Sequence, residues 1–452
     1  MGLFRKSPLE RATASQDPFE AAEAYLRAGR LDEAVPFLER TLAYHVQVLG
    51  PAHPNVSVLR TYLAQAYREI GRLDDAIPLF EAALEETQRT LGGRHLNTVA
   101  SRGNLANAYQ DAGDLTRAIQ LYERAIADAT AVLGASHAET LTLRSNLATA
   151  YQETGDLTRA ISMNEQVLAD RTRMLGTRHA QTLESRNNLA SAYQEADRLD
   201  DAIRLFEANL ADTIHVQGTN HPDTMSCRNN LAGAYQEADR LDDAIRLFEA
   251  NLADTERTLG ADHPFTITSR ANLADAYQDA GEFTRAISLY ERTLADRKRV
   301  LGTTHDKTLI VGNNLASAYL DAGRYEDAIR SFTENLADTE RALGASHPDT
   351  LTSRSNLGGA YLEAGNLAQA MQIWERTLTD RQRILGSDDI DTMHTRNNLA
   401  GAYQEAGRVD QAIALYQDNL ASAERTLGAD HQFTAATRDY LAEATSKRAS
   451  GT

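Results

Sequence analysis

Residues 186–213 and 228–255 of this chain are identical except at one position, Ser191 against Gly233, and lie 42 residues apart. The same period sets a glycine at Gly50, Gly92, Gly134, Gly176, Gly218, Gly260, Gly302, Gly344, Gly386 and Gly428, ten in one register without insertion or deletion. Self-similarity at a period of roughly 20–50 residues is the signature of a solenoid. Each unit there buries its apolar face against its neighbours, and the core is one continuous seam. Separate globular domains are therefore not expected, although 452 residues would otherwise suggest about three.

Within a unit the apolar spacing is helical. In the third unit Leu105, Ala108, Tyr109 and Ala112 follow the i, i+3, i+4, i+7 pattern of one helix face. Ala118, Ile119 and Tyr122 begin the same pattern on a second helix. The spacing predicts a helix A from His95 to about Ala112, a stop at Gly113 and a helix B from Leu115 to about Val132. A glycine after helix A supplies a left-handed cap. Asp197 and Asp239 stand at that place in units 5 and 6, where an L-residue is slightly strained. The organisation expected is a flexible arm over residues 1–16 and ten tandem units over 17–431, the first truncated with a short helix over 18–28. A lone capping helix over 432–447 and a disordered tail over 448–452 complete it.

The net charge of -18 disfavours nucleic acid, whose phosphates require clustered cations, and favours basic or neutral partners. No run approaches the ~18 apolar residues of a membrane span, and the N-terminus has no signal-type apolar segment, so a cytoplasmic location is expected. Only four lysines stand against many arginines and alanines, which points to a GC-rich bacterial genome. The single cysteine, Cys227, excludes internal disulfides and has Ser101, Ser185, Ser269 and Ser353 as its equivalents in other repeats.

Leu231, Ala232, Tyr235, Ala244 and Phe248 reproduce the tetratricopeptide (TPR) pattern, Leu-Gly-x2-Tyr followed by Ala-x3-Phe. The unit is eight residues longer than the usual ~34, which lengthens its helices by roughly two turns in total, and Arg replaces the usual Trp three residues before the Leu. With Asn-Asn-Leu-Ala, Leu-Gly and His-Pro motifs (His221-Pro222, His263-Pro264, His347-Pro348), the chain resembles the TPR region of kinesin light chains and their bacterial relatives. The resemblance implies an all-α, right-handed superhelix of ten helix-turn-helix repeats plus a cap, which binds proteins and not nucleic acid or membrane. No stretch reads as a heavy-chain-binding coiled coil, an ATPase or a protease.

No nucleophile–base–orienter set and no phosphate-cradling loop is present, and neither an enzyme nor a cofactor is expected. A histidine recurs three residues after the glycine (His53, His95, His137, His179, His221, His263, His305, His347, His431), with Asp389 as the exception. Spaced one per unit, these read as helix-start caps and not as metal ligands. An asparagine ladder, Asn104, Asn146, Asn188, Asn230, Asn272, Asn314, Asn356 and Asn398, falls on helix A. By the resemblance, these amides reach into the concave groove and hold a partner's main chain, for which an amide supplies both donor and acceptor; the other reading is a local bond within the helix pair.

An arginine ladder, Arg102, Arg144, Arg186, Arg228, Arg270, Arg354 and Arg396, reads as structural, paired with an acid sixteen residues earlier, or else as an anion-binding groove. On the first reading Gly312, which interrupts the ladder, leaves Asp296 unpaired. After the helix A Tyr most repeats carry Gln (Gln110, Gln152, Gln194, Gln236, Gln278, Gln404), whereas repeats 8 and 9 carry Leu320 and Leu362. With Ile310 these predict an apolar anchor inside a polar channel, the alternative being that they are buried by local packing. The function expected is a protein-interaction scaffold holding an extended peptide or partner helix in its groove. The alternative is a regulatory or assembly subunit that binds folded partners by its outer face or ends.

Overall fold

The structure, a computed structural model, describes residues 30–51 and 53–450; among them are 20 α-helices and no strand. The expected arm, the helix expected over 18–28 and residues 451–452 lie outside the described residues. The chain divides into two compact units, one ending at Gly218 and one beginning at Thr219, at the seam between repeats 5 and 6. In the first unit the helices are α1 (Leu31–Leu49), α2 (Pro54–Glu69), α3 (Leu73–Leu91), α4 (Leu96–Asp111), α5 (Leu115–Leu133), α6 (Ala138–Glu153), α7 (Leu157–Leu175), α8 (Ala180–Glu195) and α9 (Leu199–Gln217). In the second they are α10 (Pro222–Glu237), α11 (Leu241–Leu259), α12 (Pro264–Asp279), α13 (Phe283–Leu301), α14 (Asp306–Asp321), α15 (Tyr325–Leu343), α16 (Pro348–Glu363), α17 (Leu367–Ile384), α18 (Ile390–Glu405), α19 (Val409–Thr426) and α20 (Gln432–Ser450).

Even-numbered helices are helices A and odd-numbered ones helices B. Turns this short force neighbours to run antiparallel. Within each unit consecutive helices pack together, and helices A also touch the next helix A, as α4 touches α6 and α14 touches α16. Helices A therefore form the inner wall of each stack. The recurrent motif positions are its filling: Leu231, Ala232, Tyr235, Ala244 and Phe248 are all buried, and so are their counterparts Leu105, Ala106, Tyr109, Ala118 and Tyr122. Small residues let one helix approach the next, and each aromatic fills the gap that remains.

The turns follow from backbone chemistry. Glycine closes helix A in the left-handed region at most repeats, and Asp197 and Asp239 take that conformation at φ 57°. The unit-closing glycines lie at φ 85–97°; at Gly50 ψ is 157°, a region essentially open to glycine alone. The last helix does not end at residue 447. It continues to Ser450, with Lys447 paired to Glu443 at 2.7 Å and Arg448 to Asp410 at 2.9 Å, so residues 448–450 are helical and not a disordered tail. Cations in a last helical turn favour its continuation. No helix among the described residues is long and apolar enough to cross a membrane.

Repeat 9 solves the core differently. Trp374 occupies the recurrent Phe/Tyr position, is buried, and donates its indole N–H to the Ser355 carbonyl at 3.1 Å. Its extra bulk is accommodated by Gly358, where other repeats have Ala316 or Ala400. A Cβ added there would stand 2.7 Å from the indole nitrogen. Gly358→Ala is expected to destabilise the protein by about 1–3 kcal/mol through overpacking. Adding Trp374→Phe should recover most of that loss, because Ala with Phe is the pair used in repeat 8. Denaturant unfolding of both variants tests this; a Trp374→Phe background that leaves the cost of Gly358→Ala unchanged would contradict the pairing.

Candidate interaction surface

The edge histidines are helix caps. Nδ1 of His95 accepts the Asn97 backbone N–H at 3.2 Å, and His53, His137, His179, His221, His263, His305, His347 and His431 do the same two residues on. Asp389 caps its helix through the N–H groups of Asp391 and Thr392. Each thereby satisfies a helix-start donor that has no intrahelical partner.

The arginine ladder is structural, but its register differs from the expected one. Arg102, Arg186, Arg228, Arg270 and Arg354 are buried and pair with the acid twenty-six residues later, on helix B of the same repeat, at 2.7–2.9 Å. A spacing of sixteen residues compares backbone positions along the hairpin and leaves out the reach of the side chain. Helical side chains slant toward their own N-terminus, and a long arginine carries its guanidinium about one turn that way. There it meets the later acid and the loop carbonyl nine residues back, such as Ala261 O at 3.3 Å. Asp296 is consequently paired, with Arg270 at 2.7 Å and Arg299 at 3.1 Å. The acid that Gly312 deprives of a buried arginine is Asp338, which is left to the exposed Arg341. Burial alone would raise the pKa of Asp254, yet hydrogen bonds from Arg257 and Arg228 outweigh it and hold that carboxyl below its ordinary value. Asp212, Asp296 and Asp380 are lowered in the same way.

The asparagine ladder lies half-buried on the inner wall, apart from the exposed Asn398. Its amide nitrogens bond to the previous helix A and not within the helix pair: Asn146 to Asn107 Oδ1 at 3.2 Å, Asn188 to Ser145 at 3.3 Å, Asn272 to Asn229 at 2.7 Å, Asn314 to Asp275 at 3.2 Å and Asn356 to Asn313 at 2.9 Å. Asn104 and Asn230 share the half-buried inner position.

Beside this row runs a second one. Gln110, Gln152, Gln236 and Gln278 each donate to the acid forty-three residues on, which ends the next helix A, at 2.6–2.7 Å; Gln194 holds the equivalent half-buried place. Leu320 and Leu362 interrupt the row, but they do not form an open apolar anchor. Both are half-buried, Leu320 against the cluster of Phe332 and Leu357, and Leu362 against that of Trp374. In repeats 3 and 7 the helix B aromatic is a tyrosine whose hydroxyl bonds the glutamine, Tyr122 to Gln110 and Tyr290 to Gln278. Phe332 and Trp374 offer no such hydroxyl, but neither do Phe206 and Phe248, which stand at the same place beside Gln194 and Gln236, so the hydroxyl alone does not select leucine. Of the three apolar residues, Ile310 alone is well exposed, at 56%.

Two further rows escaped the sequence reading. Tyr109 donates to Glu81 at 2.6 Å, and Tyr67, Tyr151, Tyr193, Tyr319 and Tyr403 likewise reach the glutamate twenty-eight residues earlier on the previous helix B. Burial and the Glu39 contact push the Tyr67 phenol up to about 12. The other row is one column of helix B that carries either a small residue or an arginine from Thr87 to Ala423. Arg171, Arg297 and Arg381 are buried there and plug the space between successive helices A. Arg381 donates to Asp391 O, Thr395 Oγ1 and Thr352 Oγ1, each at 2.7 Å. Aligning the repeats at their fixed period displays this column; only its direction was hidden.

Two cavities open on the inner wall at equivalent repeat positions. One, of about 330 Å³ in the first unit, is lined by Gly103, Asn104, Glu139 and Asn146 among others. The other, of about 370 Å³ in the second unit, is lined by Asn313, Asn314, Asp349 and Asn356 at the corresponding places and reaches further, to Asn335, Thr339 and Leu343 on α15.

The repeat itself is one already known. The sequence profile of the tetratricopeptide repeat matches in overlapping windows, residues 19–85, 57–131, 102–173, 139–211, 180–250, 228–299, 271–336 and 307–383, and a second profile of that description matches residues 392–433. No curated protein matches the chain. Among solved structures it is similar to the nearly identical TPR-like repeats described as those of a kinesin light chain of Podosopora anserina, with 31% identity over 46% of this chain and 98% of that one and a TM-score of 0.43. It is similar also to BtubC (BKLC) of P. vanneervenii, with 22% identity, 51% and 92% coverage and a TM-score of 0.45. A tetratricopeptide repeat protein from Parabacteroides merdae matches at 14% identity, 67% and 98% coverage and a TM-score of 0.46. With its profile matches spanning nearly the whole sequence, the chain belongs to the tetratricopeptide repeat family.

Proposed function

We propose that this protein is a non-enzymatic interaction scaffold that holds an extended peptide segment along the inner wall formed by helices A. The observation that carries the reading is the recurrence of a cavity at one repeat register in both units, each lined by two successive ladder asparagines, Asn104 with Asn146 and Asn314 with Asn356. An amide whose nitrogen is bonded to the wall keeps a carbonyl oxygen that can accept a peptide N–H. Hydrogen bonds to a peptide main chain are tolerant of sequence, and the side chains between them set specificity.

A second reading, capture of a folded partner at the edge, has its own support. The last turns of the helices B expose Val48, Leu49, Val132, Met174 and Val216 in the first unit, and a row of exposed apolar residues commonly marks a contact surface. Selection from a random linear-peptide display library separates the two. Peptides enriched on the wild-type protein are expected to bind the double variant Asn314→Ala with Asn356→Ala at least about tenfold more weakly, the equivalent of about 1.4 kcal/mol. Undiminished binding to a variant of unchanged helicity would move the site off the inner wall.

A further inference from the structure

We propose that the cavity between α14, α15 and α16 is a socket for one arginine side chain of a bound peptide. The inference rests on the peptide-groove reading and names a chemical preference within it. Its basis is what the other repeats put in the same space. In repeat 9 Arg381 fills it with the chain's own guanidinium, held by a backbone carbonyl and two hydroxyls. In repeat 4 Arg171 does so through Gln181 O at 3.0 Å and Ser185 Oγ at 2.9 Å, with Thr142 Oγ1 at 3.3 Å. The repeat 8 counterpart of these arginines is Thr339, a side chain too short to cross the gap. The counterparts of the acceptors remain: Asp349 and Ser353 line the cavity where Gln181 and Ser185 receive Arg171.

The column alone does not explain the opening, because repeats 5 and 6 also carry threonine there. In repeat 6 Arg228 is present, and Asn251 turns its amide toward Ser269 at 3.4 Å, closing the gap. In repeat 8 Gly312 replaces that arginine and Asn335 leans into the vacated volume, so that a Cβ at residue 312 would stand 2.5 Å from its Oδ1. Two substitutions on facing helices thus clear one space. The mouth suits a cationic guest. The Asp306 and Asp349 carboxylates at its rim are each 74% exposed, and the protein carries a net charge of -18. Ile310 and Leu309 supply an apolar flank for the methylene stem of the guest. A planar guanidinium matches a set of fixed acceptors that an ammonium cannot engage together.

The test compares fluorescent nona-arginine with nona-lysine, two peptides of equal charge, on the full-length protein. Wild type is expected to bind nona-arginine about tenfold more tightly than nona-lysine, a difference of about 1.4 kcal/mol. Thr339→Arg, which fills the socket as Arg381 does in repeat 9, should bring the ratio to about one while the melting temperature holds or rises. Gly312→Ala changes no charge and should also reduce the ratio, by pushing Asn335 back toward Ser353. It decides the matter if Thr339→Arg fails to fold. An arginine preference that survives in the folded variants, or that is absent in wild type, overturns the socket. Loss of the preference in these variants, with library peptides still bound by the asparagine double variant, would retain the socket and retire the wider groove reading.

Discussion

Arg270→Ala is expected to lower the stability of the protein by about 3 kcal/mol, at the low end for breaking a buried ion pair. Arg270 is fully buried, bonded to Asp296 at 2.7 Å, to Glu256 at 3.4 Å and to Ala261 O at 3.3 Å. Its removal strands the loop carbonyl and leaves Asp296 with Arg299 only, an exposed partner screened by solvent. Gly312→Arg is the converse change. It supplies Asp338 with the missing guanidinium and replaces a helix-interior glycine, so a gain of about 1 kcal/mol is expected once Asn335 turns aside. Urea unfolding of the two variants measures both; a loss below about 0.5 kcal/mol for Arg270→Ala would show the pair to be dispensable. The same ladder has an acid limit. The folded pKa values of Asp212, Asp254, Asp296 and Asp380 are depressed. Their contribution is therefore fully present above the ordinary aspartate range of about 4 and is lost as pH falls through the lower folded values.

Truncation after Gly428 should make the chain aggregate. Helix α20 covers α19, with Ala444 fully buried and Leu441 packed against the cluster of Ile413, Tyr416 and Tyr403. Without it that cluster faces water, at a cost on the order of 1.5–3 kcal/mol for each large side chain uncovered. Terminal repeats of a solenoid need a polar outer face for this reason. Light scattering and a melting curve on the truncated chain provide the check. A monodisperse monomer that melts at the wild-type temperature would remove the capping role from α20.

The period was enough to read the fold. Leu231, Ala232 and Phe248 are buried because apolar spacing reports which side of a helix faces in, and the histidine caps follow from their place before helix A. The polar rows were legible in existence but not in partnership. Backbone spacing pairs Arg102 with Glu86, whereas its long side chain slants to Asp128. Leu320 and Leu362 break a polar column in sequence, yet both lie half-buried, packed against the clusters of Phe332 and Trp374. The cavity at Thr339 was invisible for a related reason. It arises from Gly312 and Thr339 together, on different helices, and nothing in their spacing says that both border one space.

The fixed reach of these rows bears on how such a gene changes. An asparagine bonds backward by 39 or 43 residues and a glutamine forward by 39 or 43, so each donor finds its acceptor in the adjoining unit and never beyond it. Unequal crossing-over between near-identical stretches such as 186–213 and 228–255 removes or duplicates a block of 42 residues. Every surviving donor then still meets an acceptor of the same kind. The array can lengthen or shorten in whole units without a defect at the join, while a deletion of any other size puts every downstream row out of step. The irregularities of repeats 8 and 9, Gly312 with Thr339 and Gly358 with Trp374, each lie inside one repeat, so they too travel intact in an exchange of whole units.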